Sequence, residues 1–348
     1  MQRQMAESKL DAFVVGFGPN VRYLTGFTGS NSMLLVLPHR AVFLTDPRYR
    51  LQATQEVNCV VRVVSGPMLP HVVARLRRAK SKRVGFEKAR LSVESYQTLK
   101  DAMPMRTSLE PVAGWIERQR MLKSEEELSA IRRSVELNSR AFEQALRRIR
   151  PGMRESDLAA ELDYRVRRCG ADGPAFDTIV AGGERTALPH ARPTCAEMER
   201  GQLLLVDMGA MLEGYASDMT RMLFLGTPDG RVKHAYNAVL EAQLAAIDAV
   251  RPGITAHIVD RAARRVLVKQ NLARAFVHST GHGLGLEIHE PPRVGKHDPT
   301  VLERGMVITI EPGVYIEGFG GIRIEDTVAV TERGCAVLTP TSKELRIV

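Results

Sequence analysis

The sequence predicts two domains, an α/β domain over residues 1–116 and an α+β domain over residues 117–348. Three observations support this division. Short apolar runs alternate with helical patterns from residue 12 to residue 110, which is typical of an α/β unit. Pro104 and Pro111 then interrupt the alternation ahead of a long amphipathic helix. The remaining chain contains an internal repeat, which indicates two copies of one structural unit.

The first domain is predicted to contain five main strands and two helices. The strands are apolar or β-branched runs, and the helices have apolar residues at helical spacing. The strands cover residues 13–15, 33–37, 41–44, 60–64 and 83–86, and the helices cover 69–79 and 92–102. Few polar residues converge in this half, so we expect the chemistry to lie in the second domain.

The long helix has a recognisable start in the sequence. Ser124 and Glu127 have the spacing of a capping box, in which each side chain bonds the backbone N–H of the other residue. The apolar positions behind it recur with helical period: Leu128, Ile131, Val135, Phe142, Leu146 and Ile149.

The repeat follows this helix. The sequence RPGM at 150–153 stands between two helical patterns, and RPGI at 251–254 does so again. In each case a glycine-rich segment with a histidine comes next, and then two strands that each carry an acid. The two halves are therefore predicted to be copies of one helix-helix-strand-strand unit related by a pseudo-twofold axis.

The first copy places two aspartates inside apolar strands. The segment LLLVDMGAMLEGYASDMTRMLF (203–224) forms two strand-like runs around a turn at 212–214, with Asp207 on one arm and Asp218 on the other. Since side chains alternate along a strand, both carboxylates fall on one face, with Cβ atoms roughly 4.5–8 Å apart. Carboxylates that close repel each other unless one is protonated or a cation lies between them. The alternative is a turn-stabilising Asp207 and a surface Asp218.

The second copy offers a matching pair of acids. Glu311 lies in VITIEPG and Glu325 in GIRIEDT, both in β-branched runs. If the copies pack about the pseudo-twofold axis, the two pairs of carboxylates converge on one cavity, which only cations can stabilise at neutral pH. Sites dominated by oxygen ligands favour hard or borderline divalent ions such as Mn²⁺, and two ions roughly 3.5–4 Å apart are the usual hydrolytic arrangement.

Three histidines are expected at the same cavity. His282 lies in STGHGLGLEIHE, where flanking glycines let the backbone approach closely. His190 in ALPHARP and His289 in EIHE occupy matching places in the two copies, so we expect them to flank the cavity from both sides. The alternatives are a structural His282 and two surface loop histidines.

One arginine is expected to support the acids. Arg323 stands two residues before Glu325 on the same strand face, where a bidentate hydrogen bond would hold that carboxylate. Two tyrosines near the turns, Tyr215 and Tyr315, are assigned to packing.

Composition narrows the classes of protein that fit. The chain has 348 residues, 44% of them hydrophobic, and a formal net charge of +9 spread largely along predicted helices. With one dense basic cluster at 75–83 and no interleaved aromatic residues, we expect no specific nucleic-acid binding. No apolar run approaches the roughly 18 residues of a membrane helix, and four dispersed cysteines indicate a reducing compartment. These features lead us to expect a cytoplasmic protein.

The assembled motifs resemble those of the pita-bread metallopeptidases, which include prolidase, aminopeptidase P, methionine aminopeptidase and creatinase. The matching pieces are VDMGAMLEGYASDMTR, STGHGLGLEIHE, ITIEPGVY and GIRIEDT, in the order of the family. The resemblance implies two divalent ions, Mn²⁺ foremost with Co²⁺ or Zn²⁺ as alternatives. It implies as their ligands Asp207, Asp218, His282, Glu311 and Glu325, with Asp218 and Glu325 bridging. It also implies catalytic roles for His190, His289, Glu311 and Arg323.

The resemblance extends to the first domain. NVRYLTGFTGS and LTDPRY are similar to the N-terminal domain of the creatinase, prolidase and aminopeptidase P branch. The resemblance therefore implies a dinuclear exopeptidase that hydrolyses Xaa-Pro bonds, with an Xaa-Pro dipeptidase as the first expectation and a homodimer as its assembly. The alternatives are an aminopeptidase P that acts on longer peptides with proline at the second position, and a catalytically silent binding protein of the same fold. The wording GGERTALPHARPT departs from familiar prolidases and leaves the substrate length open.

Overall fold

The computed structural model describes all 348 residues and divides them into two compact units, Met1–Arg120 and Met121–Val348. The boundary predicted after residue 116 falls inside the helix Trp115–Met121. No helix in either unit combines the length and the apolar character that crossing a membrane requires.

The first unit is an α/β domain built on one six-stranded sheet. The strand order is β4-β3-β2-β1-β5-β6, with β1 antiparallel to β2 and parallel to β5. The strands are β1 (Ala12–Val15), β2 (Ser32–Leu37), β3 (Arg40–Thr45), β4 (Val60–Val63), β5 (Arg83–Glu87) and β6 (Ser108–Val112). The helices are α1 (Gln2–Glu7), α2 (Gly18–Thr25), α3 (Arg50–Glu56), α4 (Met68–Arg78), α5 (Val93–Ala102) and α6 (Trp115–Met121).

The alternation predicted for this unit is confirmed, because all five predicted strands and both predicted helices lie within two residues of the observed ones. Helices α1, α2, α3 and α6 were not predicted, and the segment 112–123 was expected to be a linker. These helices are six, eight, seven and seven residues long, too short for a helical period to stand out.

The second unit holds four long helices and fourteen short strands. The helices are α7 (Glu125–Leu146), α8 (Glu155–Arg168), α9 (Gly230–Ala249) and α10 (Ala256–Lys269). The strands of its first half are β7 (Gly173–Pro174), β8 (Ile179–Gly182), β9 (Leu203–Met208), β10 (Ala210–Leu212), β11 (Tyr215–Ala216) and β12 (Met219–Phe224). Those of its second half are β13 (Gly281–Gly283), β14 (Glu290–Val294), β15 (Val307–Ile310), β16 (Gly313–Ile316), β17 (Gly320–Arg323), β18 (Asp326–Val330), β19 (Cys335–Val337) and β20 (Arg346–Ile347).

The internal repeat is confirmed by the strand order. One sheet contains β8, β9 and β12 as neighbours, and the other contains β13, β15 and β18 in the same relation. Each sheet continues into the tip of a long hairpin, β10–β11 in the first copy and β16–β17 in the second. Two helices precede each set of strands, α7 and α8 or α9 and α10, so each copy is one helix-helix-strand-strand unit.

Helix α7 starts where the sequence predicts and fixes the first hairpin. Both hydrogen bonds of the capping box between Ser124 and Glu127 are present. Further along, Ser134 Oγ donates to the Ala210 carbonyl at 2.9 Å and Asn138 Nδ2 donates to the Met208 carbonyl at 3.0 Å. These buried side chains satisfy backbone oxygens at the point where the β9–β12 ladder is interrupted, because an unpaired buried carbonyl would cost free energy.

Candidate metal centre

The first hairpin brings Asp207 and Asp218 onto one face. Asp207 pairs directly with Thr220, and the β10–β11 pairs continue the same register, so Asp218 lies diagonally across from Asp207. The turn consists of Glu213 and Gly214, both with positive φ (49° and 74°), which matches the twist of a tight two-residue hairpin. The alternation of side chains along the strands therefore places both carboxylates on the same face, as predicted.

The second hairpin brings Glu311 and Glu325 opposite each other. The pair Ile310↔Asp326 in β15–β18 and the pair Gly313↔Arg323 in β16–β17 share one register, which sets the two glutamates face to face between the ladders. The backbone N–H of Glu325 donates to the Thr220 carbonyl at 3.2 Å. This bond joins the second hairpin to the first at the level of the acids.

The two hairpins and β13 place all four acids around His282. His282 Nε2 lies 3.6 Å from Asp218 Oδ2 and 3.4 Å from Glu311 Oε1. Three potential ligand atoms lie within 4.8 Å of one another, one each from Asp218, His282 and Glu325. This spacing allows them to hold a metal ion. The cluster lies in a cavity of about 850 Å³, whose lining includes every predicted site residue: His190, Asp207, Asp218, His282, His289, Glu311, Arg323 and Glu325.

Burial raises the pKa values of the clustered carboxyl groups, an effect that a bound cation would oppose. Desolvation raises the pKa of Asp218 and of Glu325 well above the ordinary value, and neighbouring carboxylates raise both pKa values further. The pKa of Glu311 is raised by the same desolvation. Two carboxylate oxygens, Asp207 Oδ1 and Glu325 Oε1, are buried without a hydrogen-bond partner. Orphaned acceptors among converging acids fit a site for divalent cations.

The orientation of His282 also suits a ligand. Its Nδ1 lies 3.0 Å from the Gly283 carbonyl, which can only accept, so the hydrogen-bond network assigns the proton of the neutral ring to Nδ1. The Nε2 lone pair then faces the acids. Desolvation lowers the pKa of His282, which keeps the ring neutral.

Arg323 supports a different carboxylate from the one predicted. The expected bidentate bond to Glu325 is wrong: Arg323 Nη2 donates to Asp207 Oδ2 at 2.6 Å and Nε donates to Thr220 Oγ1 at 3.0 Å. Thr220 Oγ1 in turn donates to Glu325 Oε2 at 2.7 Å. The guanidinium crosses to the first hairpin because the hydroxyl of Thr220, on the same face as Asp207, stands between it and Glu325.

Thr220 and His278 were not predicted to belong to the site, and Tyr315 was assigned to packing, yet all three are part of this network. Tyr315 OH accepts from Arg323 Nη1 at 2.6 Å and lies 2.9 Å from His278 Nε2. His278 Nδ1 faces the Ser279 carbonyl at 2.7 Å and so carries the ring proton, which makes the tyrosine the donor to His278. Burial raises the pKa of Tyr315 to about 12 and lowers that of His278. Tyr315 therefore anchors Arg323 instead of serving packing alone.

The two outer histidines lie at the mouth of the cavity. His190 and His289 are exposed and both belong to the lining. The ring of His289 meets that of His282 edge to face, with centroids 4.4 Å apart. Burial, and then the neighbouring His282, lowers the pKa of His289. Tyr215, by contrast, lies outside the lining and bonds Glu127 Oε1 at 3.1 Å.

A repeated fold whose two hairpins bring four acids and a histidine together defines a metallohydrolase-like protein of the pita-bread type. Family models agree with this class. The model described as metallopeptidase family M24 matches residues 129–332, and the one described as creatinase/prolidase N-terminal domain matches residues 1–122. The chain belongs to metallopeptidase family M24, a family that uses divalent metal ions, and this confirms the resemblance drawn from the motifs.

Individual relatives cover nearly the whole chain. A Pyrococcus horikoshii protein named Xaa-Pro dipeptidase is 37% identical over 98% of this chain and 96% of its own length. Among solved structures, an Xaa-Pro dipeptidase from Bacillus anthracis has a TM-score of 0.96 and 36% identity, covering 100% of this chain and 98% of that one. An X-Pro aminopeptidase from Thermotoga maritima has a TM-score of 0.92 and 36% identity, covering 99% and 100%.

Proposed function

We propose that this protein is an Xaa-Pro dipeptidase, an exopeptidase that hydrolyses the bond before proline with the help of two divalent ions. The observation that carries the proposal is the cluster of four acids and His282, with two orphaned carboxylate oxygens, inside a cavity of about 850 Å³. The Xaa-Pro dipeptidases among its relatives give the substrate class.

The ions would be held by the five residues that the motifs indicate: Asp207, Asp218, His282, Glu311 and Glu325. When bound, such ions polarise a peptide carbonyl and lower the pKa of a water molecule enough to make it a nucleophile near neutral pH. We propose Mn²⁺ as the working metal, with Co²⁺ and Zn²⁺ as the alternatives, because the ligand set is dominated by oxygen.

Side chains around the cluster would do the remaining chemistry. Glu311, the most exposed of the four acids, would take a proton from the attacking water and return it to the leaving proline nitrogen. His190 and His289 at the mouth would donate hydrogen bonds to the carbonyl oxygen as it gains negative charge. Arg323 would hold the Asp207 carboxylate in one orientation through its 2.6 Å bond.

The cavity lining suits a small peptide that ends in proline. Phe176, Ile179 and Ile288 supply apolar surface for the proline ring. Arg293, an exposed cation on β14, also lines the cavity and would pair with the free carboxylate of a dipeptide. A free carboxylate follows the proline ring directly only when proline is the last residue, so Arg293 is the proposed determinant of peptide length.

The second candidate is an aminopeptidase P that acts on longer peptides. A further cavity of about 450 Å³ shares His278, Ser279, Arg293 and Asp298 with the main one, which would give a longer chain room to continue. The Thermotoga maritima neighbour is also named an aminopeptidase. The two candidates differ only in the substrate: a dipeptidase requires proline as the last residue, whereas an aminopeptidase P accepts a chain that continues after it.

The test is protein stripped of metal, reloaded with Mn²⁺ and offered Ala-Pro, Ala-Pro-Ala and Ala-Ala, with Asp218→Ala as the inactive control. Cleavage of Ala-Pro alone supports the dipeptidase, and cleavage mainly of the tripeptide supports the aminopeptidase. Arg293→Gln should raise KM for Ala-Pro by about tenfold, the equivalent of roughly 1.4 kcal/mol of binding, and leave the tripeptide unaffected. No bound metal together with no turnover on Mn²⁺, Co²⁺ or Zn²⁺ would instead indicate a silent binding protein of this fold.

We further propose that the protein works in the cytoplasm as a homodimer. The dispersed, unpaired cysteines fit a reducing compartment. Light scattering at working concentration tests the assembly, and a mass near the 38.6 kDa of one chain would contradict it.

A further inference from the structure

Lys123 and Glu290 form an ion pair in the interior of the second unit. Lys123 Nζ lies 2.7 Å from Glu290 Oε1, and each side chain is only 2% exposed. Removing two charges from water costs several kcal/mol per ion, so a buried pair contributes little net stability compared with apolar residues of the same size. Such a pair is better explained by the position that it imposes on the chain.

Glu290 begins strand β14, whose two faces differ. Glu290, Pro292 and Val294 are buried, whereas Pro291 and Arg293 are exposed. Pro291 and Arg293 line the cavity, and the buried Glu290 also borders it at the start of the strand. The alternation extends backward by one residue, because His289 is exposed and also lines the cavity. A shift of β14 by one residue would exchange the two faces and turn His289 and Arg293 away from the cavity.

Backbone pairing alone fixes this register weakly. Strand β14 pairs with β13 at Gly281↔Val294 and His282↔Arg293, but the register then shifts, so that Gly283 faces Glu290. An irregular ladder leaves some residues without a partner at the point where His289 must be aimed. The register of β14 therefore needs a further constraint, and a buried charged side chain that is stable only beside its partner can provide it.

The residues around Glu290 leave its carboxylate one position, next to Lys123. A Cβ atom on Gly285 would lie 2.6 Å from Glu290 Oε1, so the loop before β14 closes directly over the carboxylate. Lys123 is held from the other side, because its backbone N–H donates to the Gly305 carbonyl at 3.0 Å and the capping box of α7 begins at the next residue, Ser124. The backbone of Lys123 is therefore held in place, and its ammonium group binds the Glu290 carboxylate at a defined position.

We propose that the ion pair between Lys123 and Glu290 sets the register of β14 and thereby aims His289 and Arg293 into the cavity. Both members are positioning residues: Glu290 borders the cavity, but its carboxylate is 2% exposed and paired with Lys123, so we expect the pair to act through His289 and Arg293. The catalytic consequence rests on the function proposed above, whereas the effect on the orientation of His289 does not.

The kinetic test removes the pair without leaving a lone buried charge. In the double variant Lys123→Met/Glu290→Leu, apolar side chains replace both ions, so the fold should persist by circular dichroism. We expect kcat for Ala-Pro to fall about 100-fold, the size of effect that a misplacement of about 1 Å can have. Glu290→Gln, which keeps the shape of the side chain, serves if the double variant does not fold, and should lose about tenfold.

The double variant is then combined with His289→Ala or with His190→Ala. The comparison shows whether the ion pair acts through His289 or supports the fold in general. In His289→Ala, removing the pair should cost less than about threefold, because the side chain that it aims is already absent. In His190→Ala the full loss should remain. The control is Arg165→Met, which breaks the 2.7 Å ion pair with Glu161 within α8 and should leave kcat within about twofold. Equal losses in both histidine backgrounds would overturn the proposal.

A second readout needs no activity. Metal-free protein labelled with ¹⁵N in histidine gives ring-nitrogen signals, and those of His289 are the ones that His289→Ala removes. Breaking the ion pair should move them and leave those of His190 in place. Unchanged His289 signals in a folded variant would refute the proposal even if the wild-type protein cleaved every Xaa-Pro peptide. If the wild type cleaves none, the proposed function fails and this measurement still decides the register.

Discussion

Replacing Glu325 by glutamine should change the stability of the protein in opposite directions with and without metal. Glu325 is 1% exposed; Oε2 accepts from Thr220, while Oε1 is buried without a partner. In metal-free protein an ionised carboxylate here is therefore desolvated, unsatisfied on one oxygen and repelled by Glu311 and Asp207. A neutral amide removes that repulsion. The amide N–H groups can also donate to the neighbouring carboxylates, and a hydrogen bond to a charged group contributes about 1.5–3 kcal/mol.

The sign of the pH dependence follows from the raised pKa. The folded protein holds the Glu325 proton more tightly than the unfolded chain does, so this group favours folding at low pH and its contribution is lost as pH rises above the ordinary glutamate pKa. The glutamine variant cannot ionise. In a chelator, its Tm should equal that of the wild type near about pH 5 and exceed it increasingly toward about pH 8. A domain of this size gains roughly 2–4 °C per kcal/mol.

With metal present the order should reverse. A ligand at about 100 times its Kd stabilises the folded state by about 2.7 kcal/mol, and the variant, which would lack one of the proposed oxygen ligands, should lose most of that stabilisation. Differential scanning calorimetry in chelator and in Mn²⁺ measures both effects. Glu303→Gln is the control, since Glu303 is exposed and should change stability by no more than about 0.5 kcal/mol. A glutamine variant that is less stable than the wild type in chelator at about pH 8 would refute this account of the acid cluster.

Three further changes test the side chains around the cluster. Arg323→Lys should lower kcat/KM about 10- to 100-fold, because one ammonium cannot hold Asp207, Thr220 and Tyr315 together, and steady-state kinetics with bound metal confirmed by elemental analysis measures it. Tyr315→Phe leaves buried partners unpaired and should cost about 1–3 kcal/mol of unfolding free energy in urea titrations; an unchanged midpoint would contradict the network. Glu155→Gln weakens the buried carboxylate that accepts from Gly182 N and Thr194 N, the two ends of the segment that carries His190, and should cost about 2 kcal/mol; a loss below about 0.5 kcal/mol would show that these bonds do not hold residues 182–194.

Local patterns in the sequence were sufficient for much of the fold and for the choice of acids. The capping box at Ser124 was predictable because its two bonds join residues three apart in the chain. The common face of Asp207 and Asp218 was predictable because alternation along a strand depends on the backbone alone. The repeat marked by RPGM and RPGI then related the second pair of acids to the first.

Contacts between the two copies were not predictable in the same way. Arg323 lies beside Glu325 in the sequence, yet it bonds Asp207, which is 116 residues away. The intervening Thr220 hydroxyl decides this, and nothing in the strand sequence MTRMLF (219–224) shows that its threonine will meet Arg323 and Glu325. His278 and Tyr315 likewise acquire their role only because Arg323 reaches them.

The sequence by itself determined the two-domain organisation, the repeat, the set of acids and histidines, and membership of the metallopeptidase family, since each depends on short-range periodicity or on motif wording. Only the tertiary structure decided which carboxylate each donor holds, which oxygens remain unsatisfied, and that Lys123 meets Glu290 across 167 residues. The physical reason is that side-chain direction along a strand is a local property, whereas the partner of a buried charge depends on how separate strands and helices pack.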